Sequence, residues 1–292
     1  MINTSRPRRS VLYMPGANTR ALQKARSLPA DSLILDLEDA VAPDAKSQAR
    51  ENILAALVTG FGHREVVVRI NGLNTQWGLD DLKAFADAKA DALLLPKVES
   101  ASQIREVVSL LKQFNAANTL KIWAMIETPL AIFNLQEIAS SHPMLEVLVL
   151  GTSDLVKDLH ARHTPSRVET QTALSLSVLA ARAHQLCVLD GVHLSLDDED
   201  GLRQSCVQGR DMGFDGKTLI HPSQIQLAND IFGPSLEEID EAKQRIAAYD
   251  AAMSSGAGIA VLNGKLVEEL HIQDAKRILA LASAIEAFLK TN

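Results

Sequence analysis

Eight short apolar segments, each followed by a segment of helical periodicity, constrain most strongly what this chain can fold into. Most are continuous hydrophobic runs, which are typical of parallel strands buried on both faces. The runs are Ser10–Pro15, Ser32–Glu38, Val66–Asn71, Ala92–Val98, Lys121–Thr128, Val147–Gly151, Leu186–Val192 and Lys217–Pro222. The predicted helices are Thr19–Ser27, Asp44–Leu57, Asp80–Ala88, Ser102–Phe114, Ile132–Ser140, Glu169–His184, Asp198–Met212 and Gln224–Ile231, with Ser102 and Ser195 as expected N-caps.

Strand–helix alternation repeated eight times within about 230 residues is the pattern of a (β/α)8 barrel. A doubly wound sheet is the alternative, but neither the dinucleotide-binding nor the phosphate-loop glycine motif follows the first predicted strand. We therefore predict an α/β fold, a TIM barrel that forms the catalytic domain over residues 1–233.

The remaining residues, 234–292, are too few for an independent domain. They predict a helix over Leu236–Met253, a flexible joint at Ser254–Gly258, a hairpin over Ile259–Glu268 that turns at Asn263–Gly264, and a final helix over Ile272–Phe288. We expect this extension to act as a lid, either on its own barrel or, more in keeping with the resemblance described below, on a neighbouring subunit.

Charge and cysteine content exclude several classes of protein. The net charge is −7, which argues against nucleic acid as a partner, and two cysteines cannot form a disulfide framework. No apolar stretch approaches the ~20 residues that span a bilayer, and the apolar run near the N-terminus is too short for a signal peptide. We expect a cytoplasmic protein that binds neither membrane nor nucleic acid.

Charged residues cluster where the predicted strands end, which is where the active sites of barrels lie. Glu127 and Asp154 end adjacent strands, and two carboxylates so placed suit Mg²⁺, which keeps several waters. Two hydrogen-bonded structural carboxylates are the alternative. The other charged or polar strand-end residues are Asp36, Glu38, Asp39, Asn71, Lys97, Glu99, Asp190 and His221.

Arg69 interrupts an otherwise apolar strand, so a buried guanidinium here needs a carboxylate partner from Glu38, from Asp39 or from a substrate. A purely structural salt bridge remains an alternative. His221 fits a ligand, a base or a hydrogen-bonded loop histidine, and Cys187 fits a core position.

Read in order, these segments resemble the citrate lyase beta-subunit-like, or malyl-CoA lyase, family over the whole chain. The matching segments are residues 9–16 (RSVLYMPG), 34–41 (ILDLEDAV), 68–72 (VRING), 95–100 (LPKVES), 126–128 (IET), 151–154 (GTSD), 213–217 (GFDGK) and 220–224 (IHPSQ). The resemblance implies a barrel that uses Mg²⁺, or Mn²⁺ in its place, to cleave 3-hydroxyacyl thioesters by retro-Claisen chemistry.

The resemblance also implies roles for individual residues. Glu127 and Asp154 fall on the two metal ligands, and Arg69 falls on the substrate-carboxylate residue, with Glu127 beside the substrate. The residues at or near its CoA- or substrate-contacting positions are Tyr13, Lys24, Arg20, Ile220 and His221. Where some members carry an arginine in the first loop this chain has Asn18.

In lyases of this family the acid/base is an aspartate on the C-terminal segment, which reaches into a neighbouring subunit's site. This chain has Glu268 there, one methylene longer. We take Arg69, Glu268, Glu38 and Asp39 as candidate catalytic residues, and we expect a homo-oligomer, a trimer or a hexamer.

Three enzymatic functions follow from the resemblance. The first is a lyase that converts malyl-CoA or citramalyl-CoA to acetyl-CoA and a 2-oxo acid, glyoxylate or pyruvate. The second is a (3S)-malyl-CoA thioesterase, for which the geometry at residue 268 matters less. The third is the beta subunit of a citrate lyase complex, which takes its thioester from an acyl carrier protein. A non-catalytic acyl-CoA binding protein is the remaining alternative.

Overall fold

The computed structural model describes residues 6–254 and 259–290. Its residues fall into two compact units, one containing Arg8–Asn229 and the other containing the chain from Asp230 onward. No helix in these described ranges is long and apolar enough to span a membrane.

The first unit is a closed barrel of eight parallel strands, which confirms the predicted fold class. Each strand pairs with the next along the chain, and the eighth pairs with the first. The strands are β1 Ser10–Pro15, β2 Ser32–Asp36, β3 Glu65–Arg69, β4 Ala92–Leu95, β5 Lys121–Ile126, β6 Leu145–Leu150, β7 Cys187–Asp190 and β8 Gly216–Leu219.

The barrel is filled by alternate residues of its strands, which form one buried cluster. Val11, Ile34, Val67, Trp123 and Val149 belong to it, and Cys187 is buried with them. Branched aliphatic residues fill barrels of this kind in layers, so the low aromatic content of 4% is no handicap.

Helices surround the barrel in the order that the sequence predicts, with two differences. They are α1 Thr19–Ala25, α2 Lys46–Thr59, α3 Gly78–Phe85, α4 Ala101–Gln113, α5 Pro129–Phe133, α6 Leu135–Ala139, α7 Thr152–Asp158, α8 Gln171–Ala183, α9 Glu199–Met212 and α10 Ile225–Phe232. Short 3-10 helices cover Pro43–Ala45 and Pro222–Gln224. The helix predicted over Ile132–Ser140 is two short helices, and α7 was not predicted.

Both expected N-caps were wrong. Ser100, not Ser102, caps α4, because its side chain accepts the N–H of Gln103 while the Gln103 side chain accepts the N–H of Ser100. Asp198, not Ser195, caps α9 by accepting the N–H of Gly201. In each case the N-cap is the residue whose side chain accepts the N–H three positions later.

The second unit contains a helical pair and a hairpin. Its elements are α11 Leu236–Ser254, β9 Ala260–Leu262, β10 Lys265–Val267 and α12 Glu269–Lys290. The antiparallel strands turn at Asn263 and Gly264, whose φ angles are 50° and 76°, as a tight hairpin turn requires. Residues 255–258 of the predicted joint lie outside the described residues.

Candidate active site

A cavity of about 350 Å³ opens at the carboxyl ends of the barrel strands. Its walls include Tyr13, Arg69, Glu127 and Asp154, which the sequence predicted as site residues, and Asp36 and Asp39 from the end of β2. Since parallel strands of a barrel end on the same face, residues far apart in sequence meet here.

Glu127 follows β5 and is 2% exposed. Its Oε1 accepts the backbone N–H of Lys97 at 2.8 Å. Burial raises the pKa of Glu127 to about 7; the Lys97 N–H opposes this shift and the nearby charge of Asp154 adds to it. A buried carboxylate in this setting gains from a cation beside it.

Asp154 lies in the first turn of α7, next to Glu127 in the cavity wall. The Nζ atoms of Lys97 and Lys157 lie 3.9 and 3.8 Å from its Oδ1. Both lysine side chains are half exposed or more, so these contacts are weak and screened by solvent.

Gly151 allows Glu127 and α7 to approach each other. A Cβ atom at residue 151 would overlap the Glu127 side chain, its Oε2 most closely. Glycine is thus required here by the close approach of the Glu127 carboxylate.

The residues fit a hard divalent cation. Glu127 and Asp154 supply carboxylate oxygens at adjacent strand ends, which is the donor type that Mg²⁺ prefers. Within residues 6–254 and 259–290 no group of three or more His, Cys, Asp or Glu side chains is placed to hold a metal. Two protein ligands, with water and substrate completing the shell, match Mg²⁺ better than a structural zinc site.

Arg69 is buried at the end of β3 and faces three carboxylates. Asp36 takes two parallel hydrogen bonds, from Nε and Nη2, both at 2.6 Å. Glu38 and Asp39 lie on the other terminal nitrogen, Nη1, at 2.9 and 3.4 Å. The expected partners Glu38 and Asp39 are both present, but the principal partner is Asp36, which the sequence argument had not paired with Arg69.

Tyr13 covers one face of the Arg69 guanidinium, with 5.0 Å between the arginine Cζ and the ring centroid. Burial raises the pKa of Tyr13 despite the neighbouring arginine, so the phenol stays protonated. An aromatic face against a guanidinium stabilises the cation.

The loop after β2 is held by Lys46, which the sequence argument missed. This lysine is 5% exposed, and its Nζ donates to the carbonyls of Leu37 and Glu38, both at 2.7 Å. A lysine at the start of a predicted helix gives no sign of this role in the sequence. Lys97 was expected only as a charged strand-end residue: its left-handed φ of 47° and the bond from its N–H to Glu127 leave no trace in the sequence.

The other predicted residues are exposed. Arg20 and Lys24 are exposed on α1. Ile220 lines the cavity, whereas the exposed His221 caps the following 3-10 helix through Ser223. Glu268 belongs to the second unit, where it is exposed and its N–H donates to His271 Nδ1 at 2.9 Å.

The model of the HpcH/HpaI aldolase/citrate lyase family matches residues 9–222. The chain belongs to this family. It is 51% identical over 289 residues to a (3S)-malyl-CoA thioesterase of Cereibacter sphaeroides (strain KD131), covering 99% of each chain. It is 36% identical over 289 residues to citrate lyase subunit beta of Leuconostoc mesenteroides subsp. cremoris, covering 97% of this chain and 96% of that protein.

Among solved structures, protein CitE from Mycobacterium tuberculosis in complex with magnesium, acetoacetate and coenzyme A is similar. The TM-score is 0.76 at 30% identity, over 94% of this chain and 97% of that chain. The citrate lyase beta subunit of M. tuberculosis complexed with oxaloacetate and magnesium gives a TM-score of 0.68 at 30% identity, over 80% of this chain and 100% of that one.

Proposed function

We propose that this chain is a Mg²⁺-dependent thioesterase that hydrolyses (3S)-malyl-CoA to malate and CoA. The observation that carries the proposal is one cavity walled by Arg69, Glu127 and Asp154, in a chain 51% identical, end to end, to proteins named for this activity. The lyase, which is the first of the three functions that the family resemblance implies, becomes the second candidate.

In this proposal Glu127 and Asp154 hold Mg²⁺, or Mn²⁺ in its place. When bound, the cation supplies Lewis-acid stabilisation of negative charge on substrate oxygens. Lys97 keeps Glu127 in position through its N–H. The raised pKa of Glu127 makes cation binding and loss of its proton linked events.

Arg69 binds the free carboxylate of the malyl group. Its Nε and Nη2 are held by Asp36, so the contact is made through Nη1. A guanidinium without a partner would instead bind a carboxylate in bidentate fashion, through two parallel hydrogen bonds. The fixed arginine places the thioester relative to Glu127 without losing side-chain freedom on binding.

Hydrolysis needs a proton acceptor for water. Asp39 lines the cavity and its side chain is 62% exposed, so water reaches its carboxylate beside the bound acyl group. We assign it the proton of the attacking water. The water oxygen bonds to the thioester carbon, the C–S bond breaks, and the sulfur leaves with its electron pair as CoA thiolate.

The cavity is open on one side, where Leu194 and Ile220 are 51% and 39% exposed. An apolar rim of this kind suits the pantetheine arm of CoA. Tyr13, Arg20, Lys24 and His221 remain predicted contacts of the substrate or its CoA part.

The thioesterase is favoured over the lyase by residue 268 as well. Retro-Claisen cleavage must protonate the acetyl-CoA enolate, and Glu268 replaces the aspartate of the lyases at this position. A displacement of about 1 Å can lower a rate ~10²-fold. Hydrolysis forms no enolate, so it does not depend on this geometry.

Product analysis separates the candidates. The protein is incubated with (3S)-malyl-CoA and Mg²⁺, free thiol is measured with a thiol reagent, and glyoxylate is measured as its phenylhydrazone. Thiol without glyoxylate supports the thioesterase. Glyoxylate with acetyl-CoA and no thiol supports the lyase, and pyruvate from citramalyl-CoA would extend it.

The lyase stays the second candidate because Glu268 retains a carboxylate and the structurally similar CitE binds acetoacetate and coenzyme A with magnesium. The citrate lyase subunit is the third, and oxaloacetate release from a citryl carrier-protein thioester tests it. The homo-oligomer, the lid on a neighbouring subunit and the cytoplasmic location remain predictions.

A further inference from the structure

Arg69 offers a ligand only one terminal nitrogen. Asp36 occupies the edge formed by Nε and Nη2, and the Tyr13 ring covers one face of the guanidinium. Nη1 faces Glu38 Oε2 at 2.9 Å, with Asp39 Oδ2 farther away at 3.4 Å. An incoming carboxylate must therefore take the place that Glu38 holds.

Asp36 is the wrong carboxylate to displace. It is 1% exposed, and besides Arg69 it accepts the N–H groups of Glu38 at 2.8 Å and Ala40 at 3.1 Å. Removing it from Arg69 would break two charge-assisted bonds and leave a buried charge unpaired.

Glu38 has a fixed backbone, and its carboxylate, held by Arg69 and by the N–H of Asp39 at 3.1 Å, borders a cavity into which it can turn. Its N–H donates to Asp36 and its carbonyl accepts from Lys46, which anchors the main chain. The residue lines a second cavity, of about 500 Å³, whose walls also include Asn71 and Lys97. Arg69 lines the first cavity, so the Glu38 carboxylate lies between the two.

We propose that Glu38 is an internal competitor for Arg69, displaced by the carboxylate of a short 2-hydroxy or 2-oxo acid or acyl group. The proposal rests on the proposed function in taking Arg69 as the carboxylate-binding residue. On displacement the Glu38 side chain turns into the second cavity, toward the Lys97 ammonium. Glu38 thereby lowers the affinity for simple carboxylates and favours ligands that also reach Glu127 and Asp154.

The charge around Arg69 supports this exchange. Asp36, Glu38 and Asp39 already surround one guanidinium, and a fourth carboxylate would add like charge in a buried setting. Burial raises the pKa of Glu38 to about 7 despite the opposing charge of Arg69, so the ionised form of this carboxylate is less favourable here than in water.

The test is calorimetric titration of oxaloacetate into the full-length protein at saturating Mg²⁺. Glu38→Gln and Glu38→Ala remove the competing charge, and we expect the oxaloacetate Kd to fall about tenfold, as when a blocked site becomes freely available. Asp44→Asn is the control: it removes the charge of an exposed side chain that lines neither cavity, and we expect less than about a twofold change.

Arg69→Lys separates the proposal from the function on which it rests. It keeps a cation against Asp36 but no second arm for a ligand, so oxaloacetate binding should be lost. If binding survives in Arg69→Lys, the assigned role of Arg69 fails. If Arg69→Lys loses binding but both Glu38 variants bind as the wild type does, or more weakly, then Glu38 is no competitor.

Discussion

At the scale of single residues, the position of the Glu127 side chain depends on the glycine at residue 151. A Cβ atom at residue 151 would overlap the Glu127 side chain. Gly151→Ala should turn this carboxylate away from the cation position and weaken Mg²⁺ binding more than about tenfold, with a rate loss of about 10²-fold. Titration with Mg²⁺ alone measures the first effect, and Glu127→Gln should match it. An unchanged Mg²⁺ affinity in a folded Gly151→Ala protein contradicts the assignment.

Glu38 destabilises the folded protein to an extent that depends on pH. Its pKa rises from 4.5 to about 7 on folding. Between these values the unfolded chain releases a proton that the folded chain keeps, so stability falls as pH rises through this window. Glu38→Gln cannot ionise; it should therefore unfold at the same urea concentration as the wild type near about pH 4 and at a higher one near about pH 8. A difference that does not change with pH would refute this.

The sequence predicts Arg69, Glu127 and Asp154 because each charge interrupts or directly follows an apolar run. It could not pair Asp36 with Arg69, since that depends on the register of β2 and β3, which places these two residues opposite each other. Nor could it assign Lys97 or Lys46, because one depends on a left-handed backbone and the other on where a long side chain ends. Contacts set by register and rotamer need the folded chain.

At the scale of elements, a buried charge cluster joins β7 and β8 to the loop before α8. Lys217 Nζ lies 2.8 Å from Asp190 Oδ2, both side chains are fully buried, and Arg167 binds the same carboxylate. Burial alone would raise the pKa of Asp190, but Lys217 and Arg167 lower it below its usual range. The carboxylate is therefore ionised and bridges two strands and a loop.

Asp190→Asn should destabilise the barrel by about 3–5 kcal/mol, because it leaves Lys217 buried without its counter-charge. Urea denaturation measures the effect. Asp274→Asn is the control: its pair with Arg277 is about half exposed on both sides and should change stability by less than about 1 kcal/mol. Equal effects of the two substitutions would show that burial of the pair is unimportant.

Element order was predictable, whereas local helix starts were not. The eight strands follow from apolar runs alone. Helix α7 comes directly after β6 and has too few residues to give a periodic signal in the sequence. Helices α5 and α6 separate at Asn134, whose side chain donates to the carbonyl of Glu99. The break between α5 and α6 therefore coincides with a tertiary hydrogen bond.

At the scale of the whole molecule, the net charge of −7 argues against a nucleic-acid partner but says nothing of a small anionic substrate. The cations that the proposal uses are local, and Arg69 is already surrounded by carboxylates. In the proposed function, anion recognition is a property of one cavity and not of the surface.

The second unit offers the last prediction. Val267 is 5% exposed and packs with Ala260 and Ile272 in that unit's core, so Val267→Asp should disrupt it. If the second unit is the predicted lid and positions the CoA part of the substrate, a role independent of Glu268, Val267→Asp should keep oxaloacetate binding in the barrel and lose hydrolysis. Arg69→Lys should also lose hydrolysis, because its second unit is intact but its barrel no longer binds the substrate carboxylate.

If the lid serves a neighbouring subunit, co-expressing Val267→Asp with Arg69→Lys restores intact sites. Random mixing leaves about a quarter of the sites with both a working barrel and a working lid, so hydrolysis should return to about that fraction. If each lid closed its own barrel, every site would carry one defect and mixing would restore nothing. The recovered rate therefore distinguishes a lid shared between subunits from a lid within one chain.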